Sequence, residues 1–133
     1  MSEENVEVVQ LWWTGFNEHR MPPLDLCDER IEIGMLREFP VQGPYHGHDG
    51  VRRWVQDMFE VIDEPRIELV EIIDAEDGET VVTVQRALGR MRHTQLEADY
   101  RWATVWTVKA GNVLRAQGYA SKPEAHEAAG LSE

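Results

Sequence analysis

The sequence predicts an α+β fold in which helices gather on one face of a curved, mostly antiparallel sheet. Helical periodicity dominates the first part of the chain, and strand-like segments follow Pro65. Turn residues such as Asp77-Gly78 separate these strands. The helices precede the main run of strands instead of alternating with it, which is the order typical of α+β proteins. A length of 133 residues fits a single domain, 1–133.

The first helix is predicted over 2–17, with Ser2 as its N-cap and acidic residues in its first turn. Apolar residues occupy more of its circumference than one core face requires, so the helix must be covered on two sides. We therefore expect Trp12, Trp13 and Phe16 to be core residues that also line a pocket.

Two short elements and a longer helix follow. A short helix is predicted at 24–27 after two prolines, and alternation predicts a strand at 30–36. The glycine-rich stretch 43–50 then leads into a helix whose apolar positions recur at helical spacing through Ile62. Its inward face is expected to carry Trp54 and Met58, which are core residues that can also line an apolar pocket.

The rest of the chain is predicted to form antiparallel hairpins and a closing helix. Asp77-Gly78 and Ala110-Gly111-Asn112 have the chemistry of tight turns between paired strands. A helix capped by Ser121 and stopped by Gly130 is expected to end the fold. The predicted ranges are 66–73, 79–88, 96–108 and 113–119 for the strands and 122–129 for the helix.

Charge and composition exclude several classes of partner. The formal net charge of −12 repels phosphate backbones and anionic headgroups, so nucleic acid and membrane are not expected partners. Apolar runs are too short to cross a bilayer and the N-terminus is acidic, which favours a cytoplasmic location. Cys27 is the only cysteine, which excludes an intrachain disulfide and favours a small buried hydrophobe.

Four segments carry a resemblance to a known family, and in chain order they are NVEVVQLWWTGFN, GPYHGHDGVRRWV, YRWATVWTVKAGNVLR and EAHEAAGL. With these segments the chain resembles the nuclear-transport-factor-2-like superfamily, and within it the SnoaL-like group that includes polyketide cyclases. The resemblance implies a cone-shaped barrel with helices on the concave face of its sheet, an internal cavity and a homodimer formed through the outer sheet face. The functions of the superfamily span isomerases, hydratases, cyclases, epoxide hydrolases and binding proteins, so function must be argued from the site.

The enzyme templates of this superfamily match the chain incompletely. At the three proton-handling positions of ketosteroid isomerases the alignment places Trp12, Met35 and Ala103, which cannot perform that proton chemistry. The arginine of limonene-type epoxide hydrolases corresponds to Arg86, but its carboxylate partner is replaced by Leu88. Neither reaction is therefore predicted.

Strand alternation divides the 96–108 segment into two faces. Asp99 and Arg101 share a mixed polar face, which suits either a cavity holding a polar group or a solvated sheet surface. The opposite face carries Trp102 and Trp106, which suits either a core or a dimer interface. We expect Asp99 and Arg101 to form an ion pair in preference to a catalytic pair.

The stretch 43–50 contains two histidines that invite a metal hypothesis. His46 and His48 supply at most two imidazoles, and their spacing recommends no further ligand, so no metal is predicted. The favoured interpretation is a loop that starts the helix. His46 is nevertheless the best acid/base candidate, with Tyr45 beside it near the expected cavity mouth, and a surface histidine is its alternative.

These observations predict a small, hydrophobic, oxygenated ligand and no cofactor. As a cofactor-independent isomerase, lyase or cyclase, the protein would use His46 or Asp99 to move a proton and Arg101 or Arg86 to hold an oxyanion. The alternatives are a non-catalytic ligand-binding or sensing protein and a module whose aromatic strand face only joins subunits. The expected ligand-lining residues are Trp12, Trp13, Phe16, Tyr45, Trp54, Met58, Arg86 and Tyr119.

Overall fold

A computed structural model describes residues 2–37, 39 and 43–131, and it confirms the predicted α+β fold class. Within these residues the strands are β1 (Cys27–Gly34), β2 (Tyr45–His46), β3 (Ile62–Asp74), β4 (Thr80–Met91), β5 (Glu97–Lys109) and β6 (Asn112–Tyr119). The helices are α1 (Ser2–His19), α2 (Gly47–Val61) and α3 (Lys122–Ala128), with a short 3-10 helix at Leu24–Leu26.

The strands form one mixed sheet in the order β2-β1-β6-β5-β4-β3. The consecutive strands β3 to β6 pair antiparallel, as their turn residues predict, whereas β1 runs parallel to β6. Only Ala110 and Gly111 separate the paired residues Lys109 and Asn112, and both have positive φ angles. Positive φ at both central residues is the geometry of a type I′ turn, whose twist matches that of the strands it joins.

The structure corrects the start of one strand and contains another strand that was not predicted. β3 begins at Ile62, before Pro65, because the pairing register shifts between Asp63 and Arg66 and accommodates a residue that has no N–H to donate. The strand β2 was not predicted from the sequence, because two residues beside glycines carry no periodic signal. It pairs with β1 directly before α2 begins.

The helices cover both faces of the sheet unequally. The largest buried cluster lies between α1, α2 and the inner sheet face. α3 lies on the opposite face, where Ala125 packs with Val82, Val84 and Ala103. The predicted cap of α3 is confirmed, because the Ser121 hydroxyl accepts a hydrogen bond from the Glu124 N–H. None of the described helices has the length and apolar composition needed to cross a membrane.

A side-chain hydrogen bond fastens α1 to the edge strand. The Asn17 amide nitrogen donates to the Ile67 carbonyl at 2.8 Å, and its oxygen accepts from the Ile67 N–H at 2.8 Å. Asn17 therefore satisfies both backbone groups of a residue on the outer edge of β3, where no other strand of the described residues pairs.

We expect Asn17→Ala to lower the free energy of unfolding by about 1–3 kcal/mol, because two partly buried backbone groups lose their partner. Urea denaturation measures the change. Glu18→Ala, at the next and exposed position of α1, is the matched control for the change in helix propensity. Equal effects of the two substitutions would contradict this role of Asn17.

Candidate functional site

The centre of the inner core is built from all five tryptophans of the chain, here called the tryptophan cluster. α1 supplies Trp12 and Trp13, α2 supplies Trp54, and β5 supplies Trp102 and Trp106. Each is at most 4% exposed. The broad apolar surface of α1 and the aromatic face of β5 thus meet in one place, so the aromatic face of β5 belongs to the core.

The indoles of the cluster pack mainly edge to face. Trp12 meets Trp106 with ring centroids 5.3 Å apart and an interplanar angle of 74°, and Trp13 meets the same ring at 5.8 Å and 85°. Trp54 lies 5.9 Å from both Trp12 and Trp13. Aromatic pairs of this kind contribute about 0.5–1.5 kcal/mol each beyond the area they bury. The cluster is therefore a main source of cohesion between the helices and the sheet.

A small cavity remains beside the cluster. It encloses about 10 Å³, which is room for roughly one water molecule. The indoles fill most of the space between α1, α2 and the sheet. The residues that line the cavity are Trp12, Trp13, Ile33, Gly34, Met35, Trp54, Trp102, Thr104, Trp106 and Ala116.

Three lining residues carry buried hydrogen-bond donors without a partner. The indole N–H groups of Trp12, Trp13 and Trp54 are buried and make no hydrogen bond to any described residue. An unsatisfied buried donor costs about 1–3 kcal/mol, so three in one region are a substantial penalty. The residues that line the cavity therefore combine apolar rings with an excess of hydrogen-bond donors.

A buried polar chain crosses the inner face of β4 and β5. The Trp106 indole N–H donates to the Thr83 hydroxyl at 2.9 Å, and that hydroxyl donates to the Gln85 carbonyl oxygen at 2.5 Å. The Gln85 amide then donates to the Thr104 hydroxyl at 2.7 Å. Thr83 and Gln85 are fully buried, so this chain satisfies polar groups that would otherwise be costly inside the core.

The predicted polar residues of β4 and β5 lie on the other face of the sheet. Arg86 pairs with Arg101 across the strands, in the same alternation as the outward Val84 and Ala103. Tyr119 also packs with this outer cluster. The expectation that Arg86, Arg101 and Tyr119 share a cavity with the tryptophans is therefore corrected: alternation places them behind the sheet.

Asp99 has a different partner from the one expected. The Arg86 guanidinium binds its carboxylate through two hydrogen bonds, of 3.1 Å and 2.8 Å, so Arg86 replaces the predicted Arg101. Arg101 is two residues along the same strand, whereas Arg86 is a diagonal neighbour on β4 that can reach across. Hydrogen bonding from Arg86 holds the pKa of the Asp99 carboxyl below its ordinary value. The Asp99 carboxylate is therefore exposed and ionised. It forms a structural ion pair, as predicted, but with Arg86 instead of Arg101.

The glycine-rich stretch 43–50 leads into α2, as predicted from the sequence. His46 occupies the N-cap position with an exposed side chain that makes no capping bond. The Nε2 of His48 lies 2.9 Å from the Cys27 carbonyl oxygen and so connects α2 to β1. The phenol of Tyr45 is buried and donates to Asp57 at 2.6 Å. Burial, with this hydrogen bond, raises the pKa of Tyr45 well above its ordinary value.

Part of the cavity wall was predicted from the sequence. Phe16 and Met58 are buried in the core as predicted, but the cavity is lined by their neighbours. Trp12, Trp13 and Trp54 line it. Thr104 and the two tryptophans of β5 were not predicted to line the cavity, although their alternation on one strand face was the signal that groups them.

Two further features of the described residues concern metal binding and Cys27. No three His, Cys, Asp or Glu side chains among them are arranged to hold a metal ion. Cys27 is buried, as predicted, and its thiol lies 3.5 Å from the Pro23 carbonyl oxygen. Burial is the main reason that the pKa of Cys27 is raised from 9.0 to about 12, with the nearby Asp25 adding to the shift.

Comparisons with known proteins agree with this architecture. Residues 9–116 match the family model of the SnoaL-like domain. No curated protein sequence matches the chain significantly. A solved NTF2-like protein from Burkholderia xenovorans LB400 is 23% identical, with 96% of this chain and 97% of that chain covered at a TM-score of 0.76.

Some of the similar solved structures contain small molecules, among them trimethylamine in a protein from Catenulispora acidiphila DSM 44928. TerC, co-crystallised with polyporic acid, is 18% identical, with 93% of this chain and 96% of that chain covered at a TM-score of 0.73. Rv0760c from Mycobacterium tuberculosis, in complex with estradiol-17beta-hemisuccinate, is 14% identical, with 90% and 95% covered at a TM-score of 0.72. At these identities the likeness establishes the fold.

The buried polar chain predicts a stability effect. Thr83→Val leaves the Trp106 N–H without an acceptor and the Gln85 carbonyl without its donor, so we expect a loss of about 2–4 kcal/mol in the free energy of unfolding. Urea denaturation measures it. Thr107→Val is the matched control, because the described residues offer no hydrogen bond to the Thr107 hydroxyl, and it should change stability by less than about 0.5 kcal/mol. Similar losses in both variants would argue against the chain.

The raised pKa of Cys27 predicts a dependence of stability on alkaline pH. The unfolded thiol ionises near pH 9 and the folded thiol near pH 12. Its stabilising contribution is therefore full below pH 9 and is lost as the pH rises toward 12. The stability advantage of the wild type over Cys27→Ala should fall by up to about 1.4 kcal/mol per pH unit above 9. Urea denaturation between pH 8 and 10.5 tests this, and a constant difference would contradict it.

Proposed function

The chain belongs to the SnoaL-like domain family, as its sequence resemblance implied, and on that premise we propose that it binds a small, neutral, carbonyl-bearing apolar compound at the tryptophan cluster. The cavity between α1, α2 and the inner sheet face is the binding site. The observation that carries this proposal is the set of three buried, unpaired indole N–H groups on residues that line that cavity.

The unpaired donors favour a ligand with hydrogen-bond acceptors. The cavity has room for about one water, and one water accepts at most two hydrogen bonds, so it leaves at least one of the three indoles unsatisfied. A carbonyl oxygen on an apolar ring compound supplies acceptor lone pairs while its ring contacts the aromatic walls. Two structural neighbours are named with compounds that carry oxygen acceptors, polyporic acid and estradiol-17beta-hemisuccinate, whereas a third is named with trimethylamine, which has no oxygen.

The lining favours binding over proton transfer. None of the described lining residues carries an ionisable side chain with a pKa suited to general acid–base chemistry. The sequence-based catalytic candidates lie elsewhere: His46 is exposed at the start of α2, and Asp99 is ion-paired behind the sheet. We therefore prefer the ligand-binding hypothesis to the cofactor-independent isomerase, lyase or cyclase hypothesis.

A neutral ligand fits this environment better than an ion. The described lining contains no Lys, Arg or His to offset an anion, and the net charge of the chain is −12. Transfer of an unpaired carboxylate into an apolar site costs far more than transfer of a hydrogen-bonded carbonyl. The indole faces would attract a cation, but a cation would leave the three N–H donors unpaired.

Binding of a ring-sized ligand requires the aromatic side chains to rearrange. The cavity encloses about 10 Å³, so the ligand ring must replace edge-to-face contacts among the indoles. All five tryptophans lie in this cluster, so their intrinsic fluorescence is a direct reporter of occupancy.

The test compares two matched probes, 1-tetralone and tetralin, which share a ring system and differ in one carbonyl. We expect 1-tetralone to change the tryptophan fluorescence and to bind about fivefold more tightly, because one added hydrogen bond contributes about 1 kcal/mol. Calorimetric titration supplies the dissociation constants. The preference ratio should fall toward one in at least one of Trp12→Phe, Trp13→Phe and Trp54→Phe.

Phe16→Leu is the control, because Phe16 packs on Trp13 and Trp54, carries no N–H and does not line the cavity. It removes ring contacts from the cluster without removing a donor and should keep the preference for 1-tetralone. Failure of the wild type to bind either probe would refute the proposed site, and equal affinity for both would refute the role of the indole donors.

A further inference from the structure

The hydrogen bonds of the buried polar chain run in one direction. The Trp106 indole N–H can only donate, so the Thr83 hydroxyl oxygen accepts there. The described residues offer the Thr83 proton one acceptor, the Gln85 carbonyl oxygen. This in turn leaves the Gln85 amide nitrogen to donate to the Thr104 hydroxyl oxygen. Each hydrogen bond of the polar chain therefore orients the next group.

The chain ends at a hydroxyl that lines the cavity. Thr104 is 4% exposed and forms part of the cavity wall, whereas Thr83 and Gln85 do not. Because the Thr104 oxygen accepts from Gln85, its own proton remains as a donor, and the described residues provide no hydrogen bond from it. A buried hydroxyl that donates to nothing is as costly as an unpaired indole N–H.

We propose that Thr104 is a specificity-determining residue whose hydroxyl donates to the ligand carbonyl, with Thr83 and Gln85 as positioning residues. This inference rests on the proposed ligand-binding function and deepens it. The unpaired indoles belong to α1 and α2, and Thr104 belongs to β5, so donors stand on both the helical wall and the sheet wall. A carbonyl oxygen has two lone pairs and accepts from both walls.

The polar chain makes Thr104 a better donor than an isolated hydroxyl. Hydrogen bonds in series polarise one another, and a hydroxyl that accepts a bond becomes a stronger donor. Gln85 and Thr83 are fully buried, so water does not compete for these bonds. The sheet holds the hydroxyl at a fixed position, because β5 pairs with β4 at Thr104 and with β6 on its other side.

The experiment measures the affinity ratio of 1-tetralone to tetralin in the full-length chain. We expect Thr104→Val, which keeps the side-chain shape and removes the hydroxyl, to reduce the roughly fivefold preference by at least threefold. Thr104→Ser, which keeps the hydroxyl, should retain the preference. Thr104→Ala is the second variant if the valine substitution prevents folding, and far-ultraviolet circular dichroism verifies the fold of each protein.

Thr83→Val tests the positioning role without touching the cavity. It removes both the acceptor for Trp106 and the donor to Gln85, so the orientation of the Thr104 proton is no longer imposed. We expect the preference ratio to fall while the affinity for tetralin stays within about twofold, which a merely structural role would not produce. Thr107→Val, on the outer face of β5, should leave both affinities unchanged.

The outcomes separate this inference from the proposed function. A wild type that binds neither probe overturns the proposed site, and one that binds both equally overturns the donor role of the indoles on which this inference rests. A wild type with the preference and a Thr104→Val variant that keeps it overturns the role of Thr104 alone. An unchanged ratio in Thr83→Val overturns the positioning role of the polar chain.

Discussion

The packing of five indoles between two helices and one sheet face is the constraint on which the rest of this structure depends. Because each tryptophan is large, some residues that pack around the cluster must be small. Ala116 provides this on β6, where it lines the remaining cavity. The edge-to-face contacts between α1 and β5 hold the helical layer against the sheet. Stability and the size of the cavity thus have a common origin.

The tryptophan cluster also determines the hydrogen-bonding balance of the core. An indole brings one donor and no acceptor into the interior, so a cluster of tryptophans creates a demand for acceptors that apolar neighbours cannot meet. The protein meets that demand for Trp106 through Thr83, and extends the same chain of bonds to Thr104. It does not meet it for Trp12, Trp13 and Trp54 among the described residues. The imbalance defines the chemistry of a complementary ligand.

The sheet separates this apolar chemistry from the charges of the chain. Alternation along β4 and β5 sends Thr83, Gln85 and Thr104 inward and Arg86 and Asp99 outward, a distinction that sequence proximity hides. The outward pair forms a two-bond ion pair that solvent screens, and such pairs contribute little to stability. The same strands therefore present a donor-rich apolar wall on one side and a solvated, charged surface on the other.

The sequence alone determined the fold class, the order of the elements, the hairpin turns and the burial of Trp12, Trp13 and Trp54, because these follow from local periodicity and turn chemistry. It did not reveal β2, the early start of β3 or the placement of α3 on the outer face, since these depend on long-range pairing. The tertiary structure decided which face of β5 is inside, and with it the separation of Asp99 and Arg86 from the tryptophan cluster. Alternation fixes which residues share a face, but only packing against α1 and α2 determines which face meets the core.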